Sequence, residues 1–154
     1  MGFKSMAEIN AAISAACLGA VAEVATEVHL EFYYALMNYY GEFSPTSYIR
    51  TGGLLNSLQT TGAVSTGNGA RAKIYFETPG YKQGLMYLQH THQSGIYGWA
   101  TWDGGTVLST AMAGSHGGKF SGTPIWDSVM GKLGGESGIK AKLLAALKAR
   151  LPIK

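Results

Sequence analysis

From Ile9 to Phe32 the chain reads INAAISAACLGAVAEVATEVHLEF, and the spacing of its apolar residues is that of a helix. Apolar positions recur at steps of three and four, while glutamates fall between them, which matches a helical period and not the alternation of a strand. The recurring positions are Ile9, Ile13, Ala16, Ala20, Val24, Val28 and Phe32. Because small side chains allow close approach, we expect this narrow face to pack on the domain's own sheet.

The same helical pattern continues through the first 40 residues. Large side chains near its end are expected to widen the apolar face: Tyr33, Tyr34, Leu36, Met37, Tyr39 and Tyr40. Gly41 and Pro45 then supply the stop signals. The sequence therefore predicts one long N-terminal helix.

A β-hairpin is predicted further along the chain. Residues 59–65 are rich in Thr and Val, and Gly67-Asn68-Gly69 is a turn signal. In residues 71–78 the apolar side chains occupy every second position, which is typical of a strand with one buried face. The alternating apolar residues are Ala72, Ile74 and Phe76.

Two shorter helices are predicted at the C-terminal end. Thr123-Pro124 is a cap and first-turn signal for the first of them, and Gly134-Gly135 separates it from the second. The second is amphipathic, is ended by Pro152, and carries one apolar stripe: Ile139, Leu143, Leu147 and Leu151. These patterns together indicate one domain over residues 1–154 with a long N-terminal helix, a β-hairpin and two C-terminal helices.

Residues 79–122 form a region rich in glycine and aromatic residues, with no helical period. Strands are expected within residues 96–102 and 106–112, and the remainder is expected to be an extended loop. Long loops in compact domains usually carry function or become ordered by a partner. Aromatic residues are also enriched in protein interfaces. The interface candidates are therefore Tyr81, Tyr87, Tyr97, Trp99 and Trp102.

Charged residues are scarce, at 14% of the chain against about 25% in an average soluble domain. So few charges leave much of the surface to be covered by other protein, which indicates oligomeric contacts. The net charge of +3 comes from dispersed Lys and Arg, so no nucleic-acid arm is indicated. Glu23 and Glu27 interrupt the apolar N-terminal stretch, and no cleavage site follows it, so neither secretion nor membrane spanning is expected.

The most distinctive motif reads Tyr48-x-Arg50-Thr51-Gly52-x-Leu54-Leu55-x-Ser57. Its residue types are those of a turn that enters a short helical segment, in which Thr51 can cap backbone N–H groups and Gly52 and Gly53 permit tight approach. Arg50 is expected to brace this turn through its fork of donors, and recognition of nucleic acid is the less favoured alternative.

This motif, together with the long helix before it and the hairpin after it, resembles the neck or tail-completion proteins of siphophages and prophages, which join the head to the tail. Weaker likeness comes from His116-Gly117 and from Pro124-Ile125-Trp126. The chain departs from the common family form at Glu77-Thr78-Pro79-Gly80, where an acid-x-Gly-Thr turn is frequent. Its aromatic insertion is also longer than expected.

The resemblance implies an α+β fold in which a long N-terminal helix and C-terminal helices pack on a small antiparallel β-sheet. It also implies a structural virion component, assembled in the host bacterial cytoplasm, that works without catalysis and without a cofactor. Its implied partners are copies of itself in a ring and the adjacent head-completion, tail-terminator or tail-tube proteins. Contact with DNA would occur only through the ring lumen, and no membrane partner is implied.

Two other classes of function remain open. The first is a small regulatory binding protein of phage origin, such as an inhibitor of a host defence system. Many such inhibitors are acidic mimics of nucleic acid, whereas this chain is mildly basic. The second is a metal-dependent enzyme, for which His90, His92 and His116 are the candidate ligands, although no helical Glu-x-x-His accompanies them.

Overall fold

The computed structural model describes residues 5–42, 48–49, 52–67, 69–77, 88–91, 99–102, 104–115 and 122–151. The helices in these ranges are α1 (Met6–Glu42), α2 (Gly53–Asn56), α3 (Gly104–Met112), α4 (Ile125–Leu133) and α5 (Gly135–Arg150). The strands are β1 (Tyr48–Ile49), β2 (Leu58–Thr60), β3 (Val64–Ser65), β4 (Ala70–Arg71), β5 (Ile74–Phe76), β6 (Leu88–Thr91) and β7 (Trp99–Trp102). The fold is α+β, as the sequence predicts.

The N-terminus of α1 is defined by a local capping motif. Ser5 Oγ accepts a hydrogen bond from the backbone N–H of Glu8 at 3.2 Å, and the Ser5 carbonyl accepts one from the N–H of Ile9 at 3.2 Å. A serine followed three residues later by glutamate is a recurrent helix start. From this start α1 runs for 37 residues, or about 55 Å at 1.5 Å per residue. The prediction of one long helix is confirmed.

The large hydrophobic core lies against the C-terminal half of α1. Leu36 is 0% exposed and Phe32 is buried beside it. The ring of Phe32 meets the ring of Phe76 from β5 edge to face, with centroids 5.8 Å apart. The core also takes buried residues from α2, β2, α3 and α4: Leu54, Leu58, Ala111, Ile125, Val129 and Leu133. Helices and hairpin thus share one core.

A smaller cluster joins the middle of α1 to α5. Ala20 and Val24 of α1 pack against Ala146 of α5, with partly buried leucines of α5 around them. The expectation that the alanine-rich face would pack on the sheet is wrong for this part of the helix. Alanine side chains let two helix axes approach closely, and here a helix occupies the space.

Three ion pairs connect α1 to the C-terminal helices. Each uses a glutamate one turn further along α1, so the acidic residues form a row on one side of the helix. The pairs are Glu23–Arg150 at 2.6 Å, Glu27–Lys142 at 2.6 Å and Glu31–Lys132 at 3.4 Å. Exposed pairs of this kind contribute about 0.2–1 kcal/mol each. Their order shows that α5 runs antiparallel to α1.

The hairpin is confirmed, and a bulge divides it into two short ladders. β2 pairs antiparallel with β5, and β3 pairs antiparallel with β4. Between the ladders the register shifts by one residue, from Thr60 opposite Ile74 to Val64 opposite Arg71. Gly62 adopts φ 67° at this point, the left-handed conformation that a glycine bulge requires. The alternation predicted for residues 71–78 is confirmed over residues 71–77, because every second side chain there is partly buried.

The region from residue 79 to 122 contains a helix that the sequence patterns do not predict. Residues 104–112 form α3, whereas a strand was expected over residues 106–112. The strand expected over residues 96–102 is present at Trp99–Trp102, where β7 pairs with β6, and β6 pairs with β1. α3 returns the chain to the core, where Ala111 is 0% exposed.

The C-terminal helices form as predicted, with one difference at the start of α4. Thr123 was expected to cap the helix and Pro124 to be its first residue. Instead Pro124 occupies the cap position, without a side-chain hydrogen bond, and α4 begins at Ile125. The backbone N–H of Thr123 donates to the carboxylate of Glu42 at the end of α1, 3.1 Å from Oε2. Gly134, at φ 74°, separates α4 from α5. The predicted α5 stripe is partly buried, and Ala146 beside it is fully buried.

Candidate assembly site

The described part of the distinctive motif is a structural element in the core. Gly52 adopts φ 74° before α2, so a left-handed turn explains the glycine at this position. Leu54 is 3% exposed, and Leu55 packs against the same core. Arg50 and Thr51 lie outside the described residues. Gly52, not Thr51, occupies the position before the first turn of α2, and no side chain caps it.

Ser57 ends this element with a buried hydroxyl. Its Oγ donates to the Leu54 carbonyl oxygen at 2.7 Å, and its own carbonyl oxygen accepts from the N–H of Glu77 at 2.7 Å. One residue therefore connects α2 to the end of the hairpin. The serine of the motif is explained by hydrogen bonding, and no base lies in these contacts to activate it.

Replacing Ser57 by alanine tests this structural role. We expect Ser57→Ala to lower the free energy of unfolding by about 1 kcal/mol, since a buried hydrogen bond is lost. Urea denaturation followed by circular dichroism measures the change. Ser65→Ala is the matched control, because Ser65 is exposed and its loss is expected to cost less than about 0.5 kcal/mol. Equal effects of the two substitutions would contradict the assignment.

The structure describes only the backbone at several predicted site positions. Tyr48 of β1 pairs with His90 of β6, and in β7 Trp99 and Trp102 pair with Thr91 and Leu88. The strands thus bring the start of the motif, one candidate metal ligand and two interface candidates into one antiparallel sheet. The remaining candidates lie outside the described residues: His92, His116, Tyr81, Tyr87 and Tyr97.

Within the described ranges no three His, Cys, Asp or Glu side chains come together as metal ligands. His92 and His116 lie outside these ranges, and only the backbone of His90 is described. The three-histidine hypothesis therefore stays untested.

Four large apolar side chains form an exposed stripe on the C-terminal half of α1. Leu30, Tyr33, Tyr34 and Met37 are 43%, 39%, 51% and 45% exposed. Their spacing of three, four and seven positions places them on one helix face. We call these four residues the outer stripe. The expectation that Tyr33, Tyr34 and Met37 widen the core-facing side is wrong, whereas Leu36 and Tyr39 are buried as expected.

A second exposed apolar surface lies at the start of α1. Residues 5–15, here called the N-terminal arm, include Met6 at 68% and Ile13 at 45% exposure. Ile9 lies between them and is partly buried. The predicted apolar face of the helix includes Ile9 and Ile13, but full burial begins only at Ala16. The arm therefore continues the apolar spacing of the core-facing side of α1, but its large apolar side chains are not buried in the subunit.

The position of α5 explains why the arm is exposed. Arg150, at the end of α5, binds Glu23, and its side chain lies over Gly19 of α1. Leu151 has an extended backbone, with φ −83° and ψ 128°, so α5 stops at this level. The arm thus lies beyond the end of its neighbouring helix.

By length and composition alone, α1 also passes a test for a membrane-crossing helix, and 17% of its most apolar 18-residue window is buried. The core helix of a soluble protein passes the same test. Here the C-terminal half of α1 lies in the main core and three of its glutamates pair with basic residues of α4 and α5. The expectation that α1 does not span a membrane stays a prediction.

Comparison of the chain with protein-family models, curated proteins and solved structures gave no significant match. The functional assignment therefore depends on the motif and on the surfaces described above.

Proposed function

We propose that this chain is a structural subunit of a tailed bacteriophage virion, which joins head and tail or completes the tail by assembling into a ring. The observation that carries the proposal is the motif from Tyr48 to Ser57, which resembles that of neck and tail-completion proteins. In the described part of the motif, glycine supplies a turn, leucines supply core contacts and serine supplies a buried hydrogen bond. Such roles suit a motif that preserves a fold rather than a reaction.

The surface of the subunit supports an assembly role. α1 carries two separate exposed apolar surfaces, the N-terminal arm and the outer stripe. Contiguous exposed apolar patches on soluble proteins often mark interaction sites. A ring of more than two subunits needs two different surfaces per subunit, one for each neighbour. The two surfaces on α1 satisfy this requirement.

The low charge content agrees with the same role. With 14% charged residues, the chain has few solvated side chains with which to cover a free surface. Several of the described charges are moreover used within the subunit, in the ion pairs between α1 and the C-terminal helices. Contacts with other copies and with adjacent head or tail proteins would cover the remaining apolar surface.

Deletion of the gene from its phage or prophage genome tests the proposal. We expect the lysate of the deletion strain to contain filled heads and separate tails in place of joined particles, as seen by negative-stain electron microscopy. Supplying the wild-type chain from a plasmid restores joined, infectious particles. Normal particles in the deletion lysate would contradict the proposed function.

A further inference from the structure

The N-terminal arm and the outer stripe match each other in length and spacing. The first and last apolar positions of the arm, Met6 and Ile13, are seven positions apart, as are Leu30 and Met37. Seven residues of helix correspond to two turns, or about 10 Å. Apolar side chains spaced three, four and seven apart are the pattern by which two helices pack along a common seam.

The side chains of the two surfaces also differ in size in a complementary way. The arm combines Met6, Ile9 and Ile13 with several alanines, so its backbone can be approached closely. The outer stripe presents two tyrosines, a leucine and a methionine. Bulky side chains on one helix fill the spaces between small ones on another.

The charges around the outer stripe favour an apolar, nearly uncharged occupant. Glu27 and Glu31 border the stripe, and each is neutralised within the subunit, by Lys142 and Lys132. The arm carries one charged residue, Glu8, within residues 6–15. A nucleic acid or an anionic lipid surface would need clustered Lys or Arg, and neither surface has them.

The two surfaces cannot meet within one subunit. Both lie on the same continuous helix, and 24 residues separate Met6 from Leu30, so the helix holds them about 36 Å apart. The arm can therefore reach an outer stripe only on another copy of the chain. A contact between two different surfaces of identical subunits repeats in one direction, and it closes into a ring when the rotation permits.

The area available on the outer stripe indicates that a single contact between arm and stripe would be weak. Tyrosines present about 200 Å2 each when fully exposed. At the exposed fractions of the outer stripe, 39–51%, the whole stripe offers roughly 350–400 Å2. Counting both partners, one such contact buries less than the roughly 1,000 Å2 expected of a stable independent interface. Repetition around a closed ring supplies the additional stability that a single contact lacks.

We propose, building on the function proposed above, that the N-terminal arm of one copy packs on the outer stripe of the next copy in a head-to-tail contact. Met6, Ile9 and Ile13 of one subunit cover Tyr33, Tyr34 and Met37 of its neighbour. The first turns of α1 thus belong to the core of the assembly rather than to the core of the subunit.

Directed cross-linking tests this contact on the purified chain. In a Cys17→Ser background, Ile13→Cys and Tyr34→Cys are made in separate chains that carry different tags. The two variants are mixed at high protein concentration with a short bismaleimide. We expect a cross-linked dimer that contains one chain of each kind, because the arm of one copy contacts the stripe of the other.

The controls separate this arrangement from the alternatives. Each variant alone should give only background cross-linking. A mixture of Ile13→Cys with Leu144→Cys should do the same, because Leu144 is 51% exposed, like Tyr34, but lies on α5. Mixed dimers no more abundant than this background would overturn the proposal. Efficient dimers from Tyr34→Cys alone would also overturn it, since they indicate a two-fold contact between stripes.

Sedimentation with phosphatidylcholine and phosphatidylglycerol vesicles tests whether a lipid membrane, in place of a second copy of the chain, covers these apolar surfaces. The wild-type chain should stay in the supernatant, and co-sedimentation that Ile13→Lys abolishes would show a membrane contact and overturn the proposal. The outcomes for contact and function are distinguishable. If the chains cross-link but the deletion strain produces normal particles, only the proposed function is contradicted. If the deletion strain produces unjoined heads and tails but the chains do not cross-link, only the proposed contact is contradicted.

Discussion

Leu36→Ala is expected to lower the free energy of unfolding by about 3–4 kcal/mol, within the range measured for leucine deletions in well-packed cores. Leu36 is 0% exposed and lies in the cluster that joins α1 to α2, α4 and the hairpin. Truncation removes its contacts and leaves a cavity that neighbours from separate elements cannot all fill. Urea denaturation monitored by circular dichroism gives the value.

Leu144→Ala is the matched control for this substitution. Leu144 lies on α5 and is 51% exposed, so the same chemical change is expected to alter stability by less than about 0.5 kcal/mol. If Leu36→Ala cost no more than the control, α1 would not be part of the folded core. The arrangement of arm and stripe would then lose its basis.

Gly138→Ala is expected to lower the free energy of unfolding by about 1–3 kcal/mol, although alanine is the better helix former. A Cβ at Gly138 would overlap the backbone carbonyl oxygen of Leu133, the last residue of α4. A backbone group cannot move aside as a flexible side chain can. The tight connection at Gly134 and Gly135 therefore requires glycine again one turn into α5.

Gly131→Ala is expected to change the free energy of unfolding in the opposite direction. Gly131 is also helical, lies in α4, and has nothing within 4 Å of the position that a Cβ would occupy. Its replacement should raise stability by up to about 1 kcal/mol through helix propensity alone. Thermal and urea denaturation of the Gly138→Ala and Gly131→Ala variants measure the two changes in stability. Stabilisation by Gly138→Ala would contradict the close packing of α4 and α5.

Local patterns in the sequence predicted most of the secondary structure. These patterns depend only on residues close together in the sequence. They are the apolar recurrence from Ile9 to Phe32, the alternation of residues 71–78 and the apolar stripe on α5. α3 was missed because its sequence, Gly104-Gly105-Thr106-Val107, contains two glycines and two β-branched residues, which favour strands or turns locally. Packing against the core outweighs that local preference.

The candidate assembly site was harder to predict than the fold. The late part of α1 has apolar residues on two faces, one with Phe32 and Leu36 and the other with Tyr33 and Met37. Periodicity cannot say which face the subunit buries, because both have helical spacing. The signal for the outer stripe was present as the spacing of residues 30, 33, 34 and 37. Only the positions of α4 and α5 show that this face lies outside the core.

The roles assigned to the motif were partly accessible from sequence. The predicted turn into a short helical segment is confirmed, because Gly52 adopts a positive φ directly before α2. The buried position of Ser57 depends on the hairpin returning to α2, which no local pattern encodes. The described part of the motif, from Gly52 to Ser57, thus connects α2 to the hairpin, and packing and hydrogen bonding at this connection explain Leu54 and Ser57.

Electron microscopy of the deletion lysate after complementation tests the central claim, that this chain is a structural part of the virion, most directly. The account predicts unjoined heads and tails without the gene, and joined particles when the wild-type chain is supplied. Joined, infectious particles produced at normal yield in the complete absence of the chain would contradict the account.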